Sequence, residues 1–568
     1  MTPIDLKAEG DLAFSKGANA FEVHVMAHQP WDDNVKPGMV SNPWGVHLTR
    51  HNTWWNQCKP WVSYLTRSQY LLRQGTFVGD ICYLYPRWQK GFSTPDGYRG
   101  DAIDENSIIE LMSVENGELV IPSGMRYKAL VLTPTSQMSP ALAEKIKQLV
   151  ADGAVVIGRK PESSPSLTDF PTCDQKVKVV GDLLWGKCDS VNIKENSYKK
   201  GKVVWGKAVE EVLQEMQIAK DFEVKELVGK DDVAWIHRRT AEADIYFVSN
   251  QKNQAVKYNC IFRTEGKVPE LWNAETGSKN DAIYWKAEGK RTAVALEMKP
   301  LESLFVVFNR SSATADPVAS LSANADSTVC LQTEGSQLFL SSQTKGSFDV
   351  TTQSNKKYTV KVGRVPQSLA VAGNWNVAFP ANWGAPTNIV LPELISLTDH
   401  ADAGVKYFSG TMTYTKTVSI PANMLGKDKC LKLDLGDVKN IAEVSINNKA
   451  AGLLWKAPFV LDITDFVQAG ENRIEIKVTN TWTNRMIGDE QEPQDLDVNT
   501  PDDKVKLESY RGVVLNKFPD WFVKGEPRPS KGRYTFSSYF YYRKGDKCPA
   551  SGLIGPVRIL PEVRVKVN

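Results

Sequence analysis

Residues 21–88, FEVHVMAHQPWDDNVKPGMVSNPWGVHLTRHNTWWNQCKPWVSYLTRSQYLLRQGTFVGDICYLYPRW, constrain the fold more than any other stretch of this chain. FEVHVMAHQP alternates with period two. Val23, Val25 and Ala27 fall on one face and Glu22, His24, Met26 and His28 on the other, which predicts a strand with one apolar face. A segment punctuated by Pro37, Gly38, Pro43 and Gly45 follows, too long for a plain connector and therefore a candidate binding loop. A helix is predicted from about Gln57 to Gln74, with Trp61, Leu65 and Leu72 on its buried stripe and Gly75 as its stop. FVGDICYLYP reads as a second strand. Strand, polar loop, helix, strand is the repeat of an α/β barrel, whose sites are built from the loops after the strands.

The same stretch concentrates groups that suit a sugar. Four of the six histidines of the chain (His24, His28, His47, His51) lie within it, among Trp31, Trp44, Trp54, Trp55, Asp32 and Asp33. An indole covers the apolar C–H face of a sugar ring, while His, Asp, Arg and Gln satisfy its rim of hydroxyls. A metal on His24 and His28 is disfavoured, because four strand residues separate them by about 13 Å.

The run HxxxHQPW, PGM, PWGxH, TWW, YLxRxQYLLxQGxFVxDIxYLY resembles the end of the catalytic barrel of glycoside hydrolase family 106, the bacterial α-L-rhamnosidases, and later segments match as well. The resemblance implies hydrolysis of terminal α-L-rhamnosyl linkages with inversion, by two glutamates on barrel loops that precede residue 1. Catalytic residues are therefore expected upstream, with Asp32, Asp33 and Asp80 as weak candidates within the chain. Glu22, near the start of its strand, is a poorer one. Substrate binding is expected from His24, His28, Gln29, Trp31, Asp32, Arg50, His51, Trp54 and Trp55. For Trp54 and Trp55, packing under the helix is the competing expectation. No metal ligands are assigned, although the family resemblance leaves calcium open, and it implies a periplasmic or extracellular location. Two strands cannot close an eight-stranded barrel, so a chain truncated relative to the whole enzyme is expected.

At 568 residues the chain should hold three or four domains. A net charge of +3, without a basic stripe, argues against a nucleic-acid partner. No apolar run reaches the length of a membrane span, and MTPIDLKAEG has no signal-peptide pattern. The eight cysteines are scattered without a CxxC pair. The partner expected is a carbohydrate, and the oligomeric state is not legible.

The chain in order predicts a multidomain α/β plus all-β protein. Residues 1–103 form the partial (β/α)8 barrel end, beginning with a helix over residues 2–16 that carries an Ile4, Ala8, Leu12 stripe. Residues 104–186 form a βαβ parallel-sheet domain in which YKALVLTP and AVVIGRKP are strands. Neither is followed by GxGxxG or GxxxxGK[ST], so a nucleotide is not expected. Residues 187–310 form a small β-rich domain after a helix at about Lys207 to Ile218. There His237, Arg238, Arg239, Asp244 and Tyr246 either contact substrate or, as is commoner for such groups, bridge domains. Residues 311–346 read as a connector with one hairpin. Residues 347–568 read as a galactose-binding-like jelly-roll β-sandwich with a hairpin tip at Asn447-Asn448 and a polar, aromatic-flanked cluster at Trp482, Asn484, Arg485 and Asp489. The alternative to an enzyme is a non-catalytic carbohydrate-binding or structural fragment that keeps the sugar-facing loop.

Overall fold

The computed structural model describes residues 1–24, 26–31, 35–40, 46–85, 93–225, 232–323, 328–334, 337–499 and 513–567. The first helix, α1, spans Pro3–Ser15, with Thr2 and Asp5 forming a capping box at its start. Its inward face is not the expected apolar stripe. Lys7, Asp11 and Phe14 are buried, whereas Leu12 is 39% exposed. The reason is chemical: Lys7 and Asp11, one turn apart, pair with each other and find hydroxyl partners on the sheet beneath. The second helix, α2, spans Lys59–Leu72 and buries Trp61, Tyr64, Ser68, Leu71 and Leu72. It ends at Leu72 with Arg73 as its cap, three residues before the expected Gly75 stop; at Gly75 φ is +56° and a Cβ would lie 1.9 Å from the Arg239 carbonyl oxygen.

The expected barrel strands are replaced by something else. FEVHVMAHQP is not a strand over its described residues: His24 and His28 are exposed, and Val46 N donates to the His24 carbonyl at 3.1 Å. A strand persists only with a neighbouring strand that continues the ladder, and one bond among the described residues does not make that ladder. FVGDICYLYP divides between two sheets. Thr76–Phe77 pairs antiparallel with Arg238 and Arg239, and Ile81–Leu84 pairs parallel with Gly100–Ile103 and Ala129–Val131. Among the described residues no barrel is formed.

The α/β module therefore begins near residue 81 rather than 104. Its strands Gly201–Val204, Val155–Ile157, Ala129–Val131, Ile81–Leu84 and Gly100–Ile103 lie side by side and parallel, with Glu195–Tyr198 as an antiparallel edge. Residues 195–204, expected in the next module, thus belong here. Helices cover both faces: Pro140–Asp152 and Cys173–Trp185 pack one side around Ile146, Leu149 and Trp185, and Val209–Glu215 packs the other through Val212 and Leu213.

The small β-domain is two sheets. One has four strands; the other has six and includes Val233–Arg239, Asp244–Asn250 and Ser303–Ser311. The outer face of the six-stranded sheet carries α1 and α2, with Phe14, Tyr64, Leu72, Phe247 and Phe305 in a shared core. Residues 311–346 contain the one hairpin expected of them, and it is part of a sheet. Val329–Glu334 and Gln337–Ser342 form a hairpin that extends the sheet of the last strand, Arg558–Lys566. That sheet faces a second six-stranded antiparallel sheet across the largest core of the chain, in which Tyr414, Val444 and Ile476 meet Leu431, Leu433 and Ile559. The tip Asn447-Asn448 joins Ile441–Ile446 to Lys449–Leu454 with φ of +52° and +66°, the turn that two asparagines favour. The N-terminal loop is sewn onto this module, since Pro37–Gly38 pairs in parallel with Phe536–Ser537.

Candidate functional site

Where the loop meets the C-terminal module a cleft of about 240 Å³ opens. Five short pieces of the described chain line it: Met1 and residues 37–40, 46–52, 481–486 and 541–542. Gln29 clamps the loop by accepting from Met39 N (3.0 Å) and donating to the Met39 carbonyl (2.6 Å), and Val40 N donates to Ser538 Oγ (3.1 Å). Gly38 has φ +83°, and a Cβ there would meet Gln29 Oε1 at 2.4 Å, so the clamp requires glycine. On the facing side Trp482 Nε1 donates to the His51 carbonyl (2.8 Å), Tyr541 OH lies 3.3 Å from His47 Nε2, and the hydroxyls of Thr483 and Tyr542 are 3.0 Å apart. Behind Trp482 runs the buried helix Thr483–Asp489. Arg485 and Asp489 pair within it at 2.9 Å, Asp489 also accepts from Thr535 N (2.7 Å), and the Arg485 guanidinium stacks 4.9 Å over the Tyr534 ring. A desolvated pair with its lone pairs satisfied is rigid, and it holds the cleft wall in place.

The lining side chains mix polar and apolar groups. His47, His51, Asn52, Trp482, Tyr541 and Tyr542 supply donors, acceptors and ring faces; Met39, Val46 and Met486 supply an apolar wall. No Asp, Glu, Lys or Arg is among the described lining residues.

Of the described residues expected to bind substrate, the cleft gathers His51, 1% exposed, and none of the others. Gln29 is the loop clamp. Arg50 is exposed and donates to the carbonyls of Gln29 (3.2 Å) and Trp31, so it braces the loop from outside. Trp31 packs edge-on against Phe518, Phe522 and Phe536, a loop-to-module contact. His24 and His28 lie on the exposed irregular segment away from the lining. Trp54 is core: 1% exposed, edge-on to Trp61 at 5.9 Å, with Nε1 donating to the Met1 carbonyl at 3.3 Å. Trp55 opens a short 3-10 turn, half-buried and outside the lining. Asp32, Asp33 and Trp44 lie outside the described residues. The wall residues Tyr541, Tyr542 and Met486 are not among the sequence-derived candidates. The dense aromatic run Tyr539 to Tyr542 was the available signal, and its partner in space, His47, is almost five hundred residues away in the chain.

Asp80 is structural. It is 3% exposed and takes a two-pronged bond from Arg263, 2.9 and 3.1 Å; burial pushes its carboxyl up despite that guanidinium. Arg263 also lies 3.3 Å from Asp221, which with Asp244 flanks the fully buried His237 at 3.0 and 3.2 Å. His237 stacks on Tyr246 at 3.8 Å. Burial disfavours its imidazolium, but Asp221 and then Asp244 reverse this and raise its pKa. Arg238 donates to the carbonyls of Gln74 (2.7 Å) and Gly75 (2.6 Å). These groups join modules and do not face the cleft. As for calcium, no cluster of three or more His, Cys, Asp or Glu side chains fit to hold an ion occurs among the described residues.

Against this geometry the comparisons read clearly. Residues 1–286 match the family model of glycoside hydrolase family 106, described as alpha-L-rhamnosidase, and residues 354–519 match the sugar binding domain of glycosyl hydrolases family 2. A rhamnosidase from Novosphingobium sp. PP1Y superposes with a TM-score of 0.76 at 31% identity, over 99% of this chain and 46% of that one. A Formosa agariphila protein named as a beta-glucuronidase is 29% identical over 748 aligned positions, 98% of this chain and 61% of the relative. The chain thus spans about three-fifths of one relative and under half of the other. It is similar to both along nearly its whole length, and it belongs to glycoside hydrolase family 106.

Proposed function

We propose that this chain contributes the sugar-recognising wall of a glycosidase that removes terminal α-L-rhamnosyl groups from complex glycans with inversion, outside the cytoplasm. The acid and base would come from groups other than those lining its cleft. The observation that carries this reading is the lining itself. A 6-deoxyhexose is neutral, has one apolar methyl group and several hydroxyls, and the cleft offers Met39, Val46 and Met486 beside His47, His51 and Asn52. Its volume, below the about 300–1,000 Å³ common for small-molecule sites, suits one ring. Inverting hydrolysis needs two carboxyl groups about 6.5–9.5 Å apart, and the described lining has none.

The name of the Formosa relative suggests a second substrate, a β-glucuronide. A uronic acid carries a carboxylate that is best held by Arg or Lys, and neither is in the described lining, which favours the neutral sugar. Calorimetric titration of the chain with methyl α-L-rhamnoside and methyl β-D-glucuronide separates the two: the rhamnoside should bind saturably and more tightly. An aryl α-L-rhamnoside assay on the same preparation should give no turnover. Turnover by this chain would place acid and base within it and turn attention to Asp32 and Asp33; tighter glucuronide binding would overturn the rhamnoside reading.

A further inference from the structure

The α/β module has a cleft of its own, about 580 Å³, at the carboxyl ends of its parallel strands. Leu84 ends Ile81–Leu84; Asp104 follows Gly100–Ile103; Thr133 follows Ala129–Val131 by one residue; Arg159 follows Val155–Ile157 by one residue. The chain goes from Ile81–Leu84 to its neighbour on one side, Gly100–Ile103, and then crosses to the neighbour on the other, Ala129–Val131. The connection leaving Ala129–Val131 runs the other way, to Val155–Ile157, so the chain leaves the adjacent strands Ile81–Leu84 and Ala129–Val131 in opposite directions and a crevice opens between them. In open α/β sheets this topological switch point is where ligands bind. The volume falls within the range of small-molecule sites.

The lining decides the class of ligand. The helix Pro140–Asp152 begins at this cleft; Pro140 has no N–H, Leu142 N donates to Ser139 Oγ (3.1 Å) and Ala143 N to the Ser139 carbonyl (3.0 Å). The Glu105 carboxylate accepts from the Ser139 hydroxyl, and Asp104 lines the same rim. Two carboxylates beside a helix start whose Leu142 and Ala143 N–H groups are engaged oppose a phosphate or a nucleotide. Among the described lining residues the exposed guanidinium of Arg159 stands against these two carboxylates, so a strong cation is not preferred either. What remains is a rim of hydroxyl, amide and carboxylate groups (Asn106, Thr133, Thr135, Gln137) above an apolar floor of Leu132, Met138 and Leu142. Such a surface pairs with a compound that both donates and accepts hydrogen bonds at many points while covering carbon beneath.

We propose that this switch-point cleft is a second carbohydrate site, binding a neutral mono- or disaccharide, and that it shares no lining residue with the cleft at the C-terminal module. It stands whether or not the rhamnoside reading does.

Methionine methyl groups read the two sites separately, because Met138 lines this cleft and Met39 and Met486 line the other. The intact chain, labelled with 13C-methyl methionine and with Met138 assigned from Met138→Leu, would be titrated with L-rhamnose, D-galactose and sucrose, and separately with inorganic phosphate and AMP. A saturable shift of the Met138 methyl with at least one sugar is expected, weakened about tenfold or more by Thr135→Trp, which fills the rim from an exposed position. The Met486 response should be unchanged in that variant. The proposal fails if no sugar shifts Met138, if Thr135→Trp leaves the response intact, or if phosphate or AMP shifts Met138 and displaces the sugars. A chain that responds only at Met39 and Met486 retains the first cleft and loses the second, so the two readings fall separately.

Discussion

The cleft between the N-terminal loop and the C-terminal module, and the knot of polar side chains under α1, use similar residues to opposite ends. In the knot, Lys7 Nζ reaches Asp11 (2.7 Å), Ser303 (2.9 Å) and Tyr64 (3.3 Å), and Ser249 donates to Asp11 at 2.8 Å. Lys456 of the sandwich meets Glu275 at 3.2 Å beside it. Every charge there has a partner and Lys7 is 2% exposed; burial lowers its pKa, and Asp11, Tyr64 and Glu275 together more than reverse that. In the cleft, Trp482 and Tyr541 use their polar tips to fix the wall and leave ring surface facing open space. Between these two places, charge sits inside the joint between modules, whereas the described lining of the open cleft carries no Asp, Glu, Lys or Arg.

Four measurements bear on that contrast. The largest effect should come from Asp11→Ala, which strands the Lys7 ammonium in the interior and should cost about 3–5 kcal/mol in urea unfolding, read on the first transition because several modules need not unfold together. Replacing both, Lys7→Met with Asp11→Leu, should cost markedly less. If the double variant is as unstable as the single, the knot is held by its hydroxyl partners rather than by the pair. Next, Trp54→Ala should lose about 3–5 kcal/mol, with rhamnoside affinity retained by whatever fraction stays folded. Selective loss of affinity in a folded variant would return Trp54 to the site.

The third measurement concerns pH. His237 has a raised pKa in the folded chain, so its contribution is complete below the unfolded value of about 6.5 and is lost as pH rises through the folded value. Asp221 and Asp244, lowered by His237 and by Arg263 or Arg239 against the opposing effect of burial, contribute above the usual carboxylate range, and that part is lost as pH falls. Thermal stability should therefore decline on both sides. His237→Asn should flatten the alkaline side, at about 1.4 kcal/mol for each unit of pKa shift; an unchanged alkaline limb would mean that His237 is neutral. The smallest effect on stability should be that of Trp482→Phe, about 0.5–1 kcal/mol for one lost hydrogen bond, accompanied by a several-fold weaker rhamnoside titration. Unchanged binding would remove Trp482 from the recognising wall.

Local chemistry was legible where it is local. The capped start of α1, the Asn447-Asn448 turn and the helix start at Ser139 follow from backbone preferences within a few residues. The buried faces were less so. Lys7 and Asp11 look like surface residues until Tyr64, Ser249 and Ser303 arrive from three other elements. The strand reading of residues 21–30 failed because period two states which face is apolar, not whether a neighbouring strand is present to complete the ladder.

By itself the sequence determined the family, through a long run of motif residues, the βαβ character of the second module, the sandwich at the C-terminus and the polar cluster around Trp482. Tertiary structure alone decided that Thr76–Phe77 and Ile81–Leu84 part into different sheets, that Trp54 and Asp80 are buried supports, and that His51 faces Trp482, Tyr541 and Tyr542. The physical reason is range. Helix caps, turns and periodicity are set by neighbours in the chain, whereas a cleft is set by which distant surfaces bury one another, and that is fixed only when the modules pack.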